Sequence, residues 1–306
     1  MEKIENFVIE HKKLLKIAQF ARSGGHPNQA KFVKIHDVFP LVLKWTEQLP
    51  NDFDVIIGVP RSGLFIANLI ASKLGRPLST PDNFIRGEIW SSHDVDKPHQ
   101  IRRILLVEDS IGTGNSLIKA REKLAESNPN LIIKTASFFV ERKNKFLVDF
   151  YYRELKLQTI AEWTLLTNSK ANKGALAVDM DGVLCEDCSV EVDSDEIKYL
   201  TWLKTAKPYL IPQFEITAII TSRLEKYRPQ TEEWLKEHEV KYKKLCMMNL
   251  LDKKEKNLRK TIDYKIELIK TLQPSIFWES NIVEAQKIHK KIKIPILCTD
   301  QMIIFS

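Results

Sequence analysis

Apolar positions along this chain gather in short runs, most of them followed by a longer stretch with helical spacing. Phe53–Val59 (FDVIIGV) is such a run, and Ser62–Leu74 is the helix expected after it. Arg103–Glu108 (RILLVE) leads to a helix over Asn115–Glu126, and Leu131–Val140 is a third strand. Near-continuous apolar strands alternating with helices predict an α/β fold with a mostly parallel sheet. The pattern breaks at Thr167–Gly174 (TNSKANKG), a small, polar, turn-rich linker. It restarts with strands at Ala175–Val178 and Ile216–Ile220 and a helix over about Arg228–Glu237. A helix at Ile262–Leu272, a strand at Ser275–Trp278, a helix at Ile282–Ile292 and a final strand at Ile294–Cys298 complete it. The expected organisation is two doubly wound α/β domains, residues 1–168 and 173–306, with the boundary near residue 170.

Length agrees, since 306 residues suit two domains of about 150 each. The net charge of +7 raises the question of an anionic partner, but 40 acidic residues are interspersed with the basic ones. A mixed, solvated surface accounts for that balance, and nucleic acid is not an expected partner. The densest basic stretch, Lys253–Lys260, contains Glu255 and is expected to be an exposed loop or helix face. No apolar run reaches the roughly 18 residues of a membrane span. The N-terminal MEKIENFVIEHKK lacks the apolar stretch of a secretory signal. Cys185 and Cys188 form one CxxC, while Cys246 and Cys298 stand apart, so the paired spacing of a zinc ribbon is missing. Reduced thiols and a cytoplasmic location are the expectation.

The chemistry concentrates in two places. Ile104–Leu117 (ILLVEDSIGTGNSL) is an apolar strand that delivers two adjacent carboxylates, Glu108 and Asp109, followed by a loop of Gly112, Thr113, Gly114, Asn115 and Ser116 and a helix start. Glycines let backbone approach a phosphate, loop amides and a helix N-terminus favour an anion, and carboxylates suit sugar hydroxyls or Mg²⁺. The run resembles the motif of type I phosphoribosyltransferases that binds phosphoribosyl pyrophosphate (PRPP). The resemblance covers about residues 36–152. It implies that Glu108 and Asp109 bind the ribose hydroxyls, with Asp109 also steadying positive charge at C1 or taking a proton, and that the loop binds the 5′-phosphate. It also places Arg61, Ser62 and Gly63, after the strand FDVIIGV, on the pyrophosphate. Asp82–Arg102, with Arg86, His93, Lys97 and Arg102, then corresponds to a mobile lid.

Leu176–Asp187 (LAVDMDGVLCED) is a strand that delivers Asp179 and Asp181, with Gly182 permitting a sharp turn. Two aspartates so spaced can share a Mg²⁺, one attacking phosphorus and the other moving protons. With Thr221 ending the strand ITAIITSR, Lys265 at a helix start and Glu279 ending the strand SIFWE, the set resembles phosphatases of the haloacid dehalogenase (HAD) class. That resemblance makes Asp179 the nucleophile and Asp181 the general acid and base. It gives Thr221 and Lys265 the phosphoryl oxygens, and Asp179, Asp181 and Glu279 the Mg²⁺. The sequence departs from the family where Ser280 and Asn281, rather than a second acid, follow Glu279. Arg228, Thr231 and Trp234 are also similar to the phosphatase part of polynucleotide kinases, although Trp234 reads first as core. The interval between Gly182 and the Thr221 strand has room for one helix near Asp195–Ala206, hence a minimal cap and an open site.

Taken together, the resemblances imply two Rossmann-like domains. A first activity would move 5-phosphoribosyl from PRPP to an acceptor, and a second would remove the 5-phosphate to leave a ribosyl group. A growing bacterial surface glycan would suit an open second site. The alternatives are a salvage enzyme for an orotate- or purine-like base with an accessory phosphatase, a phosphatase acting on nucleic-acid ends, and a PRPP-sensing regulator. A homodimer is compatible with the first family. Acceptor recognition is expected from Met1–Ile35, Asp82–Arg102 and Phe150–Trp163, where Phe150, Tyr151, Tyr152 and Trp163 could line a site or pack in the core.

Overall fold

The computed structural model describes residues 30–91, 101–155, 158–167 and 175–306. Residues 1–29, residues 92–100 of the expected lid (with His93 and Lys97) and most of the expected linker lie outside the described residues.

The N-terminal part runs β1 (Ala30–Val33), α1 (Ile35–Thr46), β2 (Val55–Gly58), α2 (Ser62–Leu74), β3 (Leu78–Ser79), α3 (Pro81–Ile85), β4 (Arg103–Ile111), α4 (Asn115–Ser127), β5 (Ile132–Glu141), β6 (Phe150–Leu155) and β7 (Gln158–Ala161). Among the described residues, one five-stranded sheet has the order β3-β2-β4-β5-β6, and every pairing is parallel. Both faces are covered, which is why β2 and much of β4 are apolar without alternation. α1 turns Val38, Val42 and Trp45 inward. Phe138 of β5 stacks on Tyr152 at 4.7 Å and meets Trp45 edge-on at 5.9 Å. Phe150 and Tyr152 therefore belong to the core rather than to an acceptor site.

The C-terminal part runs β8 (Leu176–Val178), α5 (Val190–Asp193), α6 (Glu196–Thr205), β9 (Ala218–Leu224), α7 (Arg228–Glu237), β10 (Leu245–Met248), α8 (Leu258–Leu272), β11 (Ile276–Glu279), α9 (Ile282–Ile292), β12 (Ile296–Cys298) and β13 (Ile303–Phe305). The second sheet has the order β10-β9-β8-β11-β12-β13 and is parallel except for β13, which pairs antiparallel with β12. Ile294–Cys298 is thus not the last strand.

Two further boundaries differ from expectation in ways that matter for the site. β9 continues three residues past Thr221, to Leu224. α8 starts at Leu258, a full turn before Ile262, because the Asn257 side chain caps it by accepting from the Lys260 amide at 3.0 Å. Lys265 is consequently inside the helix. Trp234 is fully buried and donates to the Ala206 carbonyl at 2.7 Å, a packing role.

In both sheets the chain reverses direction across the sheet at one place. After β2 it adds β3 on one side and then β4 on the other; after β8 it adds β9 and β10 on one side and then β11 on the other. A crevice opens at the carboxyl ends of the strands flanking such a reversal. Both motif sets stand there.

Candidate functional site

The first crevice lies between the carboxyl ends of β2 and β4. Glu108 and Asp109 are buried on β4, whereas Arg61 and the loop residues Gly112, Thr113, Asn115 and Ser116 are exposed above them. Acids at the bottom and amide-rich loops at the rim suit a polyhydroxylated phosphate ester. Ser62 and Gly63 begin α2, and the Pro60–Arg61 peptide bond is cis. A Cβ at Gly63 would lie 2.6 Å from the Val107 carbonyl oxygen and 3.0 Å from Glu108 Oε1. Glycine here is what lets the Arg61–Gly63 loop rest directly against Glu108. Gly114 caps α4 at its N-terminus, and Asn144 donates to the Gly112 carbonyl.

The two acids share their burial and their charge. Burial and the neighbouring Asp109 raise the Glu108 carboxyl to about 9. Burial also raises Asp109, opposed by a hydrogen bond from the Trp163 indole, whose Nε1 donates to Asp109 Oδ2 at 2.8 Å. Trp163 stands on a 3-10 turn, Glu162–Thr164, after β7. The sequence marks this tryptophan only as an aromatic near a candidate acceptor segment, and its contact with the acid pair has no local signal. Of the expected lid residues, Arg86 is engaged by Asn83 and Glu88.

The second crevice is built on β8, β9 and β11. Asp179 follows β8, and Glu279 ends β11. Lys265 reaches between them from α8, donating to Asp179 Oδ2 at 2.6 Å, Glu279 Oε2 at 2.7 Å and Glu284 Oε2 at 2.8 Å. Burial works to lower the Lys265 pKa, but the three acids outweigh it and hold the ammonium well above its ordinary value. Burial pushes Glu279 up to about 8 and raises Asp179, with Lys265 opposing in both. Three carboxyl groups face one ammonium, and burial holds at least Glu279 toward its protonated form.

Asp181 turns the other way. Its Oδ1 accepts from Arg223 Nε at 2.9 Å and Nη2 at 2.6 Å. Arg223 is itself buried and is steadied by Thr231 Oγ1 at 3.3 Å and the Trp202 ring at 5.0 Å. Gly182, with φ of 71°, makes the turn after Asp181, and a Cβ there would collide with Ser280 at 2.5 Å. A cavity of about 430 Å³ collects these groups, with Asp179, Asp181, Lys265 and Glu279 in its lining.

Several expected roles are redistributed. Thr221 is fully buried, its Oγ1 accepting from the Arg223 amide at 3.2 Å, and Ser222 provides the cavity wall there because β9 continues past the threonine. The acids expected to share a metal do not converge. Lys265 occupies the centre of Asp179 and Glu279, Arg223 holds Asp181, and among the described residues no three His, Cys, Asp or Glu side chains form a ready cation cage. The donor set still suits a hard divalent cation, being all oxygen. Glu284 and Arg223 were not singled out from the sequence. Glu284 sits in the first turn of α9 after the strand-end acid, a position from which a side chain can return to the strand ends.

Comparison with known proteins bears on the first crevice. Residues 36–170 match the family described as phosphoribosyl transferase domain. An orotate phosphoribosyltransferase of Sulfurisphaera tokodaii is 33% identical over 121 residues, 36% of this chain and 60% of that protein. Another, of Sulfolobus acidocaldarius, is 28% identical over 127 residues, 38% of this chain and 62% of that protein. The chain thus spans about three fifths of the length of these relatives. A purine phosphoribosyltransferase from Pyrococcus horikoshii matches at 21% identity, over 44% of this chain and 93% of that one, with a TM-score of 0.35. No helix among the described residues is long and apolar enough to cross a membrane.

Proposed function

We propose, from a chain whose residues 36–170 match the phosphoribosyl transferase domain family, that this protein transfers 5-phosphoribosyl from PRPP to an acceptor and then removes the 5-phosphate. The observation that supports the pairing is the presence of two acid-bottomed crevices at chain reversals of two mostly parallel sheets, one beneath glycine-bearing loops and the other around a buried lysine. The proposed units are residues 1–168 and residues 173–306, the latter a HAD-type phosphatase with α5 and α6 as its minimal cap.

In the first step Glu108 and Asp109 hold the ribose hydroxyls, and Gly112–Ser116 hold the 5-phosphate. Arg61, with the Ser62 and Gly63 amides, takes the pyrophosphate. The bond from C1 to pyrophosphate breaks, an acceptor oxygen or nitrogen bonds to C1, and its proton passes to a base such as Asp109. Positive charge developing at C1 lies above the buried acids, where a carboxylate is most effective. In the second step Asp179 attacks phosphorus while Asp181 gives a proton to the departing sugar oxygen. Water then attacks the acyl phosphate, returning a proton to Asp181 and releasing phosphate and Asp179. Lys265 neutralises the phosphoryl oxygens, and Arg223 keeps Asp181 aimed. Mg²⁺, when bound, would neutralise further charge on the pyrophosphate and the phosphoryl group, with Asp179 and Glu279 as its protein ligands in the second crevice.

The acceptor we propose is a glycan hydroxyl, because the cavity around Asp179 is open and its cap is two short helices. The named activity of the two archaeal relatives favours a second reading, an orotate-like base as acceptor. Incubating the protein with PRPP, Mg²⁺ and a panel of glycans and bases, with products followed by mass, separates them. A glycan gaining ribose supports the first, and a base converted to a nucleotide supports the second.

A further inference from the structure

We propose that Trp163 is a positioning residue of the phosphoribosyl site, holding Asp109 from a strap rooted on its other side in the C-terminal domain. The inference rests on the reading of Glu108 and Asp109 as ribose-binding acids.

Three contacts place Trp163 on the site. Its indole N–H meets Asp109 at 2.8 Å. Its ring packs on Phe65 of α2 with centroids 5.8 Å apart. Because α2 opens at the Arg61–Gly63 loop, one side chain touches both halves of the crevice. Glu162 Oε2 accepts from the Ile35 amide at 2.7 Å, tying the same turn to the start of α1.

The flanking residues face the opposite way. Ile160 and Leu165 are buried in the core that includes Leu176, Met180 and Trp278. The Gln213 amide donates to the Leu166 carbonyl at 2.8 Å. β1, which pairs with β7, divides its side chains likewise: Phe32 packs on the C-terminal core and Val33 on the N-terminal one. Alternate faces of a strand can serve two cores in this way. The strap thus fixes Trp163 through packing made by the second domain.

A buried carboxylate stays charged only where donors reach it. Asp109 is the charged neighbour that helps to raise Glu108, and Trp163 gives its donor to Asp109. An indole N–H donates and does not accept, so it orients the carboxylate without competing for the substrate's protons. Asp109 is thereby the member of the pair that the indole aims and whose charged form it favours.

The test is PRPP titration calorimetry on the full chain, wild type against Trp163→Phe, from pH 5 to pH 9. Phenylalanine keeps the ring contact with Phe65 and removes the N–H. PRPP affinity is expected to fall roughly tenfold, the loss of one hydrogen bond to a charged group. The acid limb of the binding profile is expected to move to higher pH, because Asp109 loses a donor that favours its charged form. Hydrolysis of p-nitrophenyl phosphate stays as in the wild type, and thermal unfolding shifts only by the loss of that one hydrogen bond. Equal affinity and an unmoved acid limb in the variant overturn the assignment while leaving the phosphoribosyl reading in place. A wild type that binds no PRPP overturns that reading and this inference with it.

Discussion

Lys265 shows how much one side chain can organise. It is almost fully buried and is the shared donor of Asp179, Glu279 and Glu284. Lys265→Met leaves three clustered carboxylates without that counter-charge. Such a loss costs about 3–5 kcal/mol in folding and should lower phosphatase turnover at least about a hundredfold; urea unfolding and phosphate release read the two effects. Gly63 is the equivalent in the first crevice. Gly63→Ala sets a methyl 2.6 Å from a backbone oxygen, so α2 must lift from β4. That should cost about 1–3 kcal/mol and weaken PRPP binding more than the stability loss alone explains. Glu108 gives a pH prediction with a definite sign. Its pKa in the folded protein is raised to about 9, above the ordinary carboxylate value. The folded state therefore keeps a proton that the unfolded chain releases, and stability falls as pH rises from about 4.5 toward 9. Denaturation midpoints of the PRPP-free protein at pH 5.5 and 8.5 should differ more for the wild type than for Glu108→Gln. The sequence identified Asp179, Asp181, Lys265 and the Glu108–Asp109 pair as residues in the two crevices. It did not identify Trp163, whose link to Asp109 spans 54 positions, because such a contact exists only once the sheet is assembled.

Elements were legible where apolar periodicity was strong. The helices at Ser62–Leu74, Arg228–Glu237 and Ile282–Ile292 stand as the pattern gives them. Ends fixed by caps or long-range pairing were not. Asn257 starts α8 a turn early, and pairing with β10 carries β9 beyond Thr221. Each shift reassigns a side chain, burying Thr221 and presenting Ser222. Asn257→Ala is expected to cost about 1 kcal/mol, to fray the first turn of α8, and to leave Lys265, two turns further on, in place. Hydrogen exchange confined to the first turn, with phosphatase turnover changed less than about threefold, is the expected result. The paired β1 and β7 were not foreseen either, since strands of four residues carry little periodic signal.

At the scale of the molecule, two sheets place two groups of buried acids at their reversal points, and the β1–β7 layer packs against both cores. A fragment ending at residue 168 would expose Phe32, Ile160 and Leu165, which lie in the C-terminal core. It should aggregate or melt at lower temperature than the full chain, and it should bind PRPP more weakly. The sequence led to an expectation of two units but gave no sign of this shared layer, because Phe32 and Ile160 belong to one core and Val33 to another only after folding. On the proposed function, both crevices act in turn on one product. The most direct measurement is the product mass after incubation with PRPP, Mg²⁺ and the acceptor panel, wild type beside Asp179→Asn. A ribosyl product is expected from the wild type and a phosphoribosyl product from the variant. The same phosphoribosyl product from both, or no transfer from PRPP by either, would contradict the proposed function.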